Sequence, residues 1–270
     1  MKNHFFIKLI SIFIIIAASF LGYKIYTLNN KPAIIYKYTQ IQIPLKGEII
    51  WDDTSIKSIS VKNENNETMD TYVFPSVDGK TLFINPPIDG FYEDDKICVT
   101  LSPNLHFKNY KMTEEKKLYF QVKSGDNITL SKVHKEPQYG DIIGTEDTFM
   151  GYQYTHYGIY VGNNKVIHYC SNTGNSKDAE IKETDMSPYF RNGHYFILNI
   201  KGNSQFDSKE TVKRAKIREG EKSYNLLQNN CEHFAIWAKT GYSMSYQIDS
   251  LSQEKLAQLK IFTAMGINLQ

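Results

Sequence analysis

Residues 152–171, YQYTHYGIYVGNNKVIHYCS, constrain the fold more than any other stretch of the chain. Two runs rich in β-branched and aromatic residues flank Gly162-Asn163-Asn164, a hairpin signal. His156 stands in the first run and His168 in the second, with Gly162 at their midpoint. A turn centred there makes the two imidazoles cross-strand neighbours. A slip of one residue sends them to opposite faces, so the register of this hairpin decides whether they meet.

Farther along, the period changes from two to 3.6. Asp207-x-x-Glu210 has the spacing of a capping box and opens a helix over 208–219, stopped by Gly220. Cys231, Phe234, Ala235 and Ala238 fall at i, i+3, i+4 and i+7, one stripe of a second helix. Asn230 is its expected N-cap and Gly241 the residue just past its end. Cys231 therefore stands in the first turn on the inward face, where free N–H groups and the helix dipole favour a thiolate. A histidine beside it takes the thiol proton and a second histidine orients the first, which is the logic of an activated nucleophile. The same residues also suit a small buried hydrophobe with two core histidines. A zinc site is a further alternative, although two His twelve apart with a distant Cys is not a standard zinc spacing. His233 lies off the stripe and reads as structural or surface. Cys170 shares a strand face with His168 and reads as packing.

The rest of the chain supplies context. Residues 33–123 carry short strand-like runs at 34–45, 54–61, 71–74, 80–85, 96–101 and 117–122, separated by turn clusters such as Val77-Asp-Gly-Lys and Pro86-Pro-Ile-Asp-Gly. Six or seven strands in this length suggest a β-sandwich. Residues 124–137 are polar, end in proline and read as a linker. At the N-terminus, 15 uncharged residues lie between Lys8 and Lys24 inside an apolar run over 5–26. Residues 1–30 are read as a signal-anchor that spans the membrane once and leaves 31–270 outside the cytoplasm, or secreted if the segment is cleaved. Ser250 to Met265 reads as an amphipathic helix that packs on the domain.

Composition narrows the partners. Only three of the 31 basic residues are arginine, and the net charge is +2, so a nucleic-acid surface is not expected. Three cysteines are too few for a disulfide scaffold and leave at least one thiol unpaired.

Two resemblances sharpen the reading. DGKTLFINPP, KICVTLS and KKLYFQV resemble bacterial Ig-like domains of cell-surface proteins. HYGIYVGNNKVIHY, SKETVKRAKIREGEKSYNLL and NNCEHFAIWAKTG resemble the lecithin retinol acyltransferase family, including its phospholipase/acyltransferase branch. The resemblance implies a permuted NlpC-type papain-like fold, with a small antiparallel sheet packed on helices. It implies Cys231 as nucleophile, His156 as general base, His168 as polar third member and Tyr154 as an oxyanion donor, with no cofactor or metal. The expected protein is multidomain: an N-terminal membrane helix, an all-β Ig-like sandwich over 31–123, a linker, and an α+β catalytic domain over 138–270. The expected activity is a thiol acyltransferase or phospholipase that forms an acyl-thioester from a phospholipid or other acyl substrate. A cell-wall amidase of NlpC type and a non-catalytic adhesion module are the alternatives. The polar connection 171–190 departs from the family pattern and is expected to border the substrate cleft. The sequence leaves the oligomeric state open.

Overall fold

A computed structural model describes residues 32–264, apart from 126, 150, 151, 174, 175, 188, 192, 203 and 204. The N-terminal apolar run read as a membrane anchor lies outside the described residues. Among the described residues no helix is long and apolar enough to cross a membrane.

The first unit alternates strand and turn. Its elements are β1 (Ala33–Tyr36), β2 (Ile41–Pro44), α1 (Asp53–Lys57), β3 (Ile59–Lys62), β4 (Tyr72–Pro75), β5 (Thr81–Asn85), β6 (Lys96–Leu101) and β7 (Lys116–Lys123). A four-stranded sheet, β1-β7-β6-β3, and a three-stranded sheet, β2-β5-β4, share one apolar core that includes Ile35, Ile43, Ile84, Val99 and Phe120. β6 shows the expected alternation, with Ile97, Val99 and Leu101 buried between half-buried Cys98 and Thr100. The run 54–61 departs from its expected strand. Asp52 accepts a hydrogen bond from the Ser55 backbone at 2.8 Å and caps the short helix α1, so the strand starts only at Ile59. A local side-chain cap here outcompetes β-branched propensity.

The second unit is a six-stranded antiparallel sheet ordered β12-β11-β10-β9-β13-β8. Its strands are β8 (Thr129–Val133), β9 (Ile142–Phe149), β10 (Tyr152–Gly162), β11 (Lys165–Cys170), β12 (Glu180–Asp185) and β13 (Tyr195–Lys201). β8 falls in the stretch read as a linker. It is an edge strand whose side chains are nearly all exposed, so it carries no alternation to mark it. Four helices follow: α2 (Ser208–Lys216), α3 (Cys231–Thr240), α4 (Tyr246–Asp249) and α5 (Gln253–Ala264). α2 ends three residues earlier than its expected limit and gives way to turns that reach Gly220. Val212, Ala215, Phe234, Ala235 and Ala238 of α2 and α3 pack on Tyr157, Ile159, Ile167 and Tyr169 of the sheet. A second cluster, with Ile143, Val166, Phe190 and Ile197, forms apart from these helices. Leu256 and Leu259 of α5 pack on Leu227 and Ile248, with Ile88 of the first unit against the same cluster.

A buried ion pair of the second unit lies where the two units meet. Arg218 and Glu221 are 1% and 2% exposed. Arg218 donates through Nε and Nη2 to the two Glu221 oxygens at 2.7 and 2.5 Å, and through Nη2 to Asn229 Oδ1 at 3.0 Å. Its guanidinium lies 4.7 Å from the Trp237 ring and 5.5 Å from Phe74 of the first unit. Around it, Asn85 Nδ2 donates to Gln228 O at 2.6 Å and Tyr72 Oη donates to Ser223 O at 3.2 Å. Charges this deep are tolerated because the fork geometry and the flanking bonds replace lost water. Removing one partner strands the other. Glu221→Gln should therefore destabilise the fold by about 3–5 kcal/mol, seen as a fall in Tm of roughly 10 °C. The double replacement Arg218→Met with Glu221→Leu should recover most of that loss in the same calorimetric scan. An unchanged melting curve for Glu221→Gln would show that the pair does not brace the interface.

Candidate active site

The site begins with a turn. Asn163 and Asn164 both adopt positive φ, 51° and 55°, the conformation of a two-residue hairpin turn that matches strand twist. β10 and β11 pair Gly162 with Lys165 and, beyond a bulge between Gly162 and Tyr160, Tyr160 with Val166 and Ile159 with Ile167. The turn is thus centred on the two asparagines rather than on Gly162. Continuing the register sets Gly158 opposite His168, with His156 two residues beyond on the same face. The two imidazoles meet on the diagonal instead of directly across, with His156 Nε2 and His168 Nδ1 2.7 Å apart. Gly158 keeps that diagonal open. A Cβ there would stand 3.0 Å from His168 Cβ and 2.6 Å from Val166 Cγ2.

His168 is fully buried, and its Nε2 lies 2.9 Å from Thr184 Oγ1 on β12. The Thr184 hydroxyl donates its own proton to Asp185 O at 3.1 Å, so it accepts from His168 Nε2–H. A neutral His168 then accepts at Nδ1 from His156 Nε2–H, and His156 keeps a lone pair on Nδ1. Both rings are held neutral. Desolvation pushes His156 down to about 4, and burial with the adjoining imidazole holds His168 well below the usual range. His156 stacks on Phe190 at 5.5 Å and 25°, and Tyr189 stands edge-on to His168 at 4.6 Å. These two rings come from the 171–190 connection, which does border the histidine pair. Next to Phe190 lies a cavity of about 460 Å³ lined by Glu136, Tyr160, Asn164, Asp185, Met186 and Tyr195, among others.

Cys231 is the first residue of α3, as its spacing predicts. Asn230 Oδ1 accepts from the backbone of Glu232 at 2.9 Å and His233 at 3.1 Å, and His233 Nδ1 accepts from Asn230 N at 3.3 Å. His233 is thus a buried part of the helix cap, its imidazole pushed down to about 3 by burial. Gly241 ends the helix at φ 85°. The Cys231 thiol donates to Thr155 O at 3.9 Å, and the Tyr157 N–H is aimed at its sulfur. Those two peptides flank His156. Among the described residues Sγ makes no hydrogen bond to either imidazole.

The helix-start position does not yield a resting thiolate. Burial pushes the Cys231 thiol up to about 12, outweighing the N–H groups of Tyr157 and Glu232, and the Glu232 carboxylate pushes the same way. The dipole of a ten-residue helix offsets only part of the cost of taking a charge out of water. Tyr154 Oη donates to Asp147 Oδ2 at 3.3 Å, and burial with that carboxylate pushes the phenol up to about 12, so it stays a donor. Cys170 Sγ donates to Glu180 O at 3.8 Å in a packed, buried position, and all three cysteines are free. Two site neighbours had no signal in the spacing: Thr184, on β12, and Gln247, in the four-residue helix α4.

Comparison with known proteins converges on the same segment. The family model described as lecithin retinol acyltransferase matches residues 135–244. The chain is also similar to the human protein named phospholipase A and acyltransferase 4, at 26% identity over 154 residues, which span 51% of this chain and 88% of that protein. Tyr154, His156, His168 and Cys231 all lie within the segment that the family model matches.

Proposed function

We propose that the second unit is a thiol acyltransferase or phospholipase in which Cys231 is the nucleophile, His156 the general base and His168 the residue that holds the base. The observation that carries this reading is the chain from Thr184 through His168 to His156, which leaves a basic lone pair on the imidazole whose flanking peptides touch the thiol. The family match supports acyl transfer, and the human relative's name supports a phospholipid as donor. The N-terminal apolar run, read as an uncleaved anchor, holds the unit beside lipid on the extracytoplasmic side.

The electrostatics favour a neutral resting pair. As Sγ attacks the ester carbonyl carbon, the thiol proton passes to His156 Nδ1, and the new S–C bond replaces the weak bond to Thr155 O. Negative charge collects on the carbonyl oxygen, to which Tyr154 donates once its proton turns away from Asp147. The tetrahedral species collapses, the alkoxide of the lysolipid takes the proton from the imidazolium, and an acyl-thioester remains on Cys231. An alcohol, amine or water then gives a proton to His156 and attacks the thioester carbonyl, and as the S–C bond breaks the imidazolium returns that proton to Sγ and restores the thiol.

Intact-mass measurement of the full chain with phospholipid vesicles should show a fatty-acyl increment that hydroxylamine removes and that Cys231→Ala lacks. Turnover in that variant should fall by about 10³-fold or more. An increment that survives Cys231→Ala would remove this residue from the reaction. Iodoacetamide should modify Cys231 slowly near neutral pH, with a rate still rising toward about pH 11, because only the thiolate reacts. A plateau reached below neutrality would instead reveal a preformed ion pair. The depressed imidazoles also set acid stability. Unfolded histidines take protons near 6.5, whereas His156 resists until about 4 and His233 until about 3. Their contribution is present above 6.5 and is lost as pH falls through the folded values, so Tm should drop between pH 6.5 and 4. His233→Asn should flatten part of that slope in parallel melts.

A further inference from the structure

We propose that Gln247 is a positioning residue: its amide, oriented by Glu232, pins the Thr155 peptide and thereby sets His156 against the Cys231 thiol. The inference rests on the reading of Cys231 and His156 given above and adds to it a residue outside the matched segment 135–244.

The need for such a residue follows from the sheet. β10 runs on with β9 as far as Tyr152 and Phe149, but its ladder with β11 ends at Ile159 and Ile167. Beyond that point the outer backbone edge of β10 pairs with no strand among the described residues. Gln247 takes the place of one. Its Oε1 accepts from Thr155 N at 2.6 Å and its Nε2 donates to Thr155 O at 3.0 Å, so one side-chain amide serves both groups of a single residue. The arrangement is polar in sense. Nε2 also donates to Glu232 Oε2 at 3.2 Å, and a flipped amide would set Oε1 against that carboxylate and against a carbonyl.

Glu232 is held in turn. Its Oε2 accepts from Ser245 Oγ at 2.6 Å and from Gln247 N at 3.1 Å, while its buried Oε1 has no hydrogen-bond partner among the described residues. The residue is 1% exposed and directly follows Cys231 in α3. Thr155 O is the atom to which the Cys231 thiol donates. Helix start, α4 and the end of β10 are thereby closed into one ring of contacts, with His156 as the next residue on the strand. The titratable groups facing Glu232 are Cys231 on its own helix, Tyr157 on β10 and Asp249 on α4.

The test uses the full chain in phospholipid vesicles. Gln247→Ala should lower kcat by about 10–100-fold with KM within about two-fold, since loss of alignment acts on the reacting geometry rather than on lipid binding. Hydrogen exchange at the Thr155 amide should speed up while Tm stays near that of the parent. A folded Gln247→Ala with parental kcat, or one with reduced kcat and unchanged Thr155 exchange, overturns the proposal. Gln247→Glu keeps the side chain's shape and serves if the alanine variant does not fold. It places a second carboxylate beside Glu232, and at lower pH the two share a proton that restores a donor to Thr155 O. Its activity relative to the parent should therefore rise as pH falls from about 8 to about 6, and a flat ratio overturns the assignment. Cys231→Ala separates the two levels. Turnover that survives it removes the functional reading, whereas Thr155 exchange in the Gln247 variants still judges the positioning role.

Discussion

Everything that makes this site chemically interesting depends on where one hairpin turns. Two asparagines in the left-handed region place the reversal between residues 163 and 164, and the bulge between Tyr160 and Gly162 then shifts the register by one residue, so that Ile159 pairs with Ile167. Because side chains alternate with a period of two, only an even displacement keeps His156 and His168 on one face. The displacement here is two residues. Gly158 then removes the one Cβ that would fill the diagonal, and β12 supplies Thr184 behind the inner imidazole. Register, a missing side chain and a hydroxyl on the next strand act together as one device.

The thiol and the histidines share a second constraint, which is dryness. Cys231, His168 and His233 are buried, and desolvation decides their charge state before any neighbour does. A helix N-terminus is often invoked for a low thiol pKa, yet three backbone N–H groups do not compensate for burial in this case. A neutral pair is compatible with acyl transfer to a hydrophobic substrate. In the proposed reaction such a pair moves a proton only when a carbonyl arrives, and it presents no charged nucleophile to the surroundings at rest.

Much of this was legible in the residues themselves. Asn230, Gly241 and the stripe from Cys231 located α3, because caps and a 3.6 period are local properties. The alternation of Ile97, Val99 and Leu101 located β6 for the same reason. The hairpin was visible, but its register was not, since the midpoint of two histidines carries no information about which residues take positive φ. The edge strand β8 was hidden by its polar exterior, and the helix α1 by β-branched residues that obey a cap instead. Thr184 and Gln247 belong to long-range contacts with no periodicity of their own. Only the fold brings Gln247 to Thr155, 92 positions away.

The parallel pairing of β1 with β7 has a mechanical consequence. Ala33 pairs with Phe120 and Tyr36 with Lys123, in the same direction along both strands. A pull exerted at the chain's start and resisted by the second unit runs along β1 one way and along β7 the other. The inter-strand hydrogen bonds are then loaded simultaneously in shear, not peeled in succession, which is the geometry in which a short ladder resists tension best. With Asn85 and Tyr72 of this first unit gripping the segment before Cys231, the β-layered unit behaves as a strain-bearing mount. It stands between the histidine hairpin and any force applied at the chain's start.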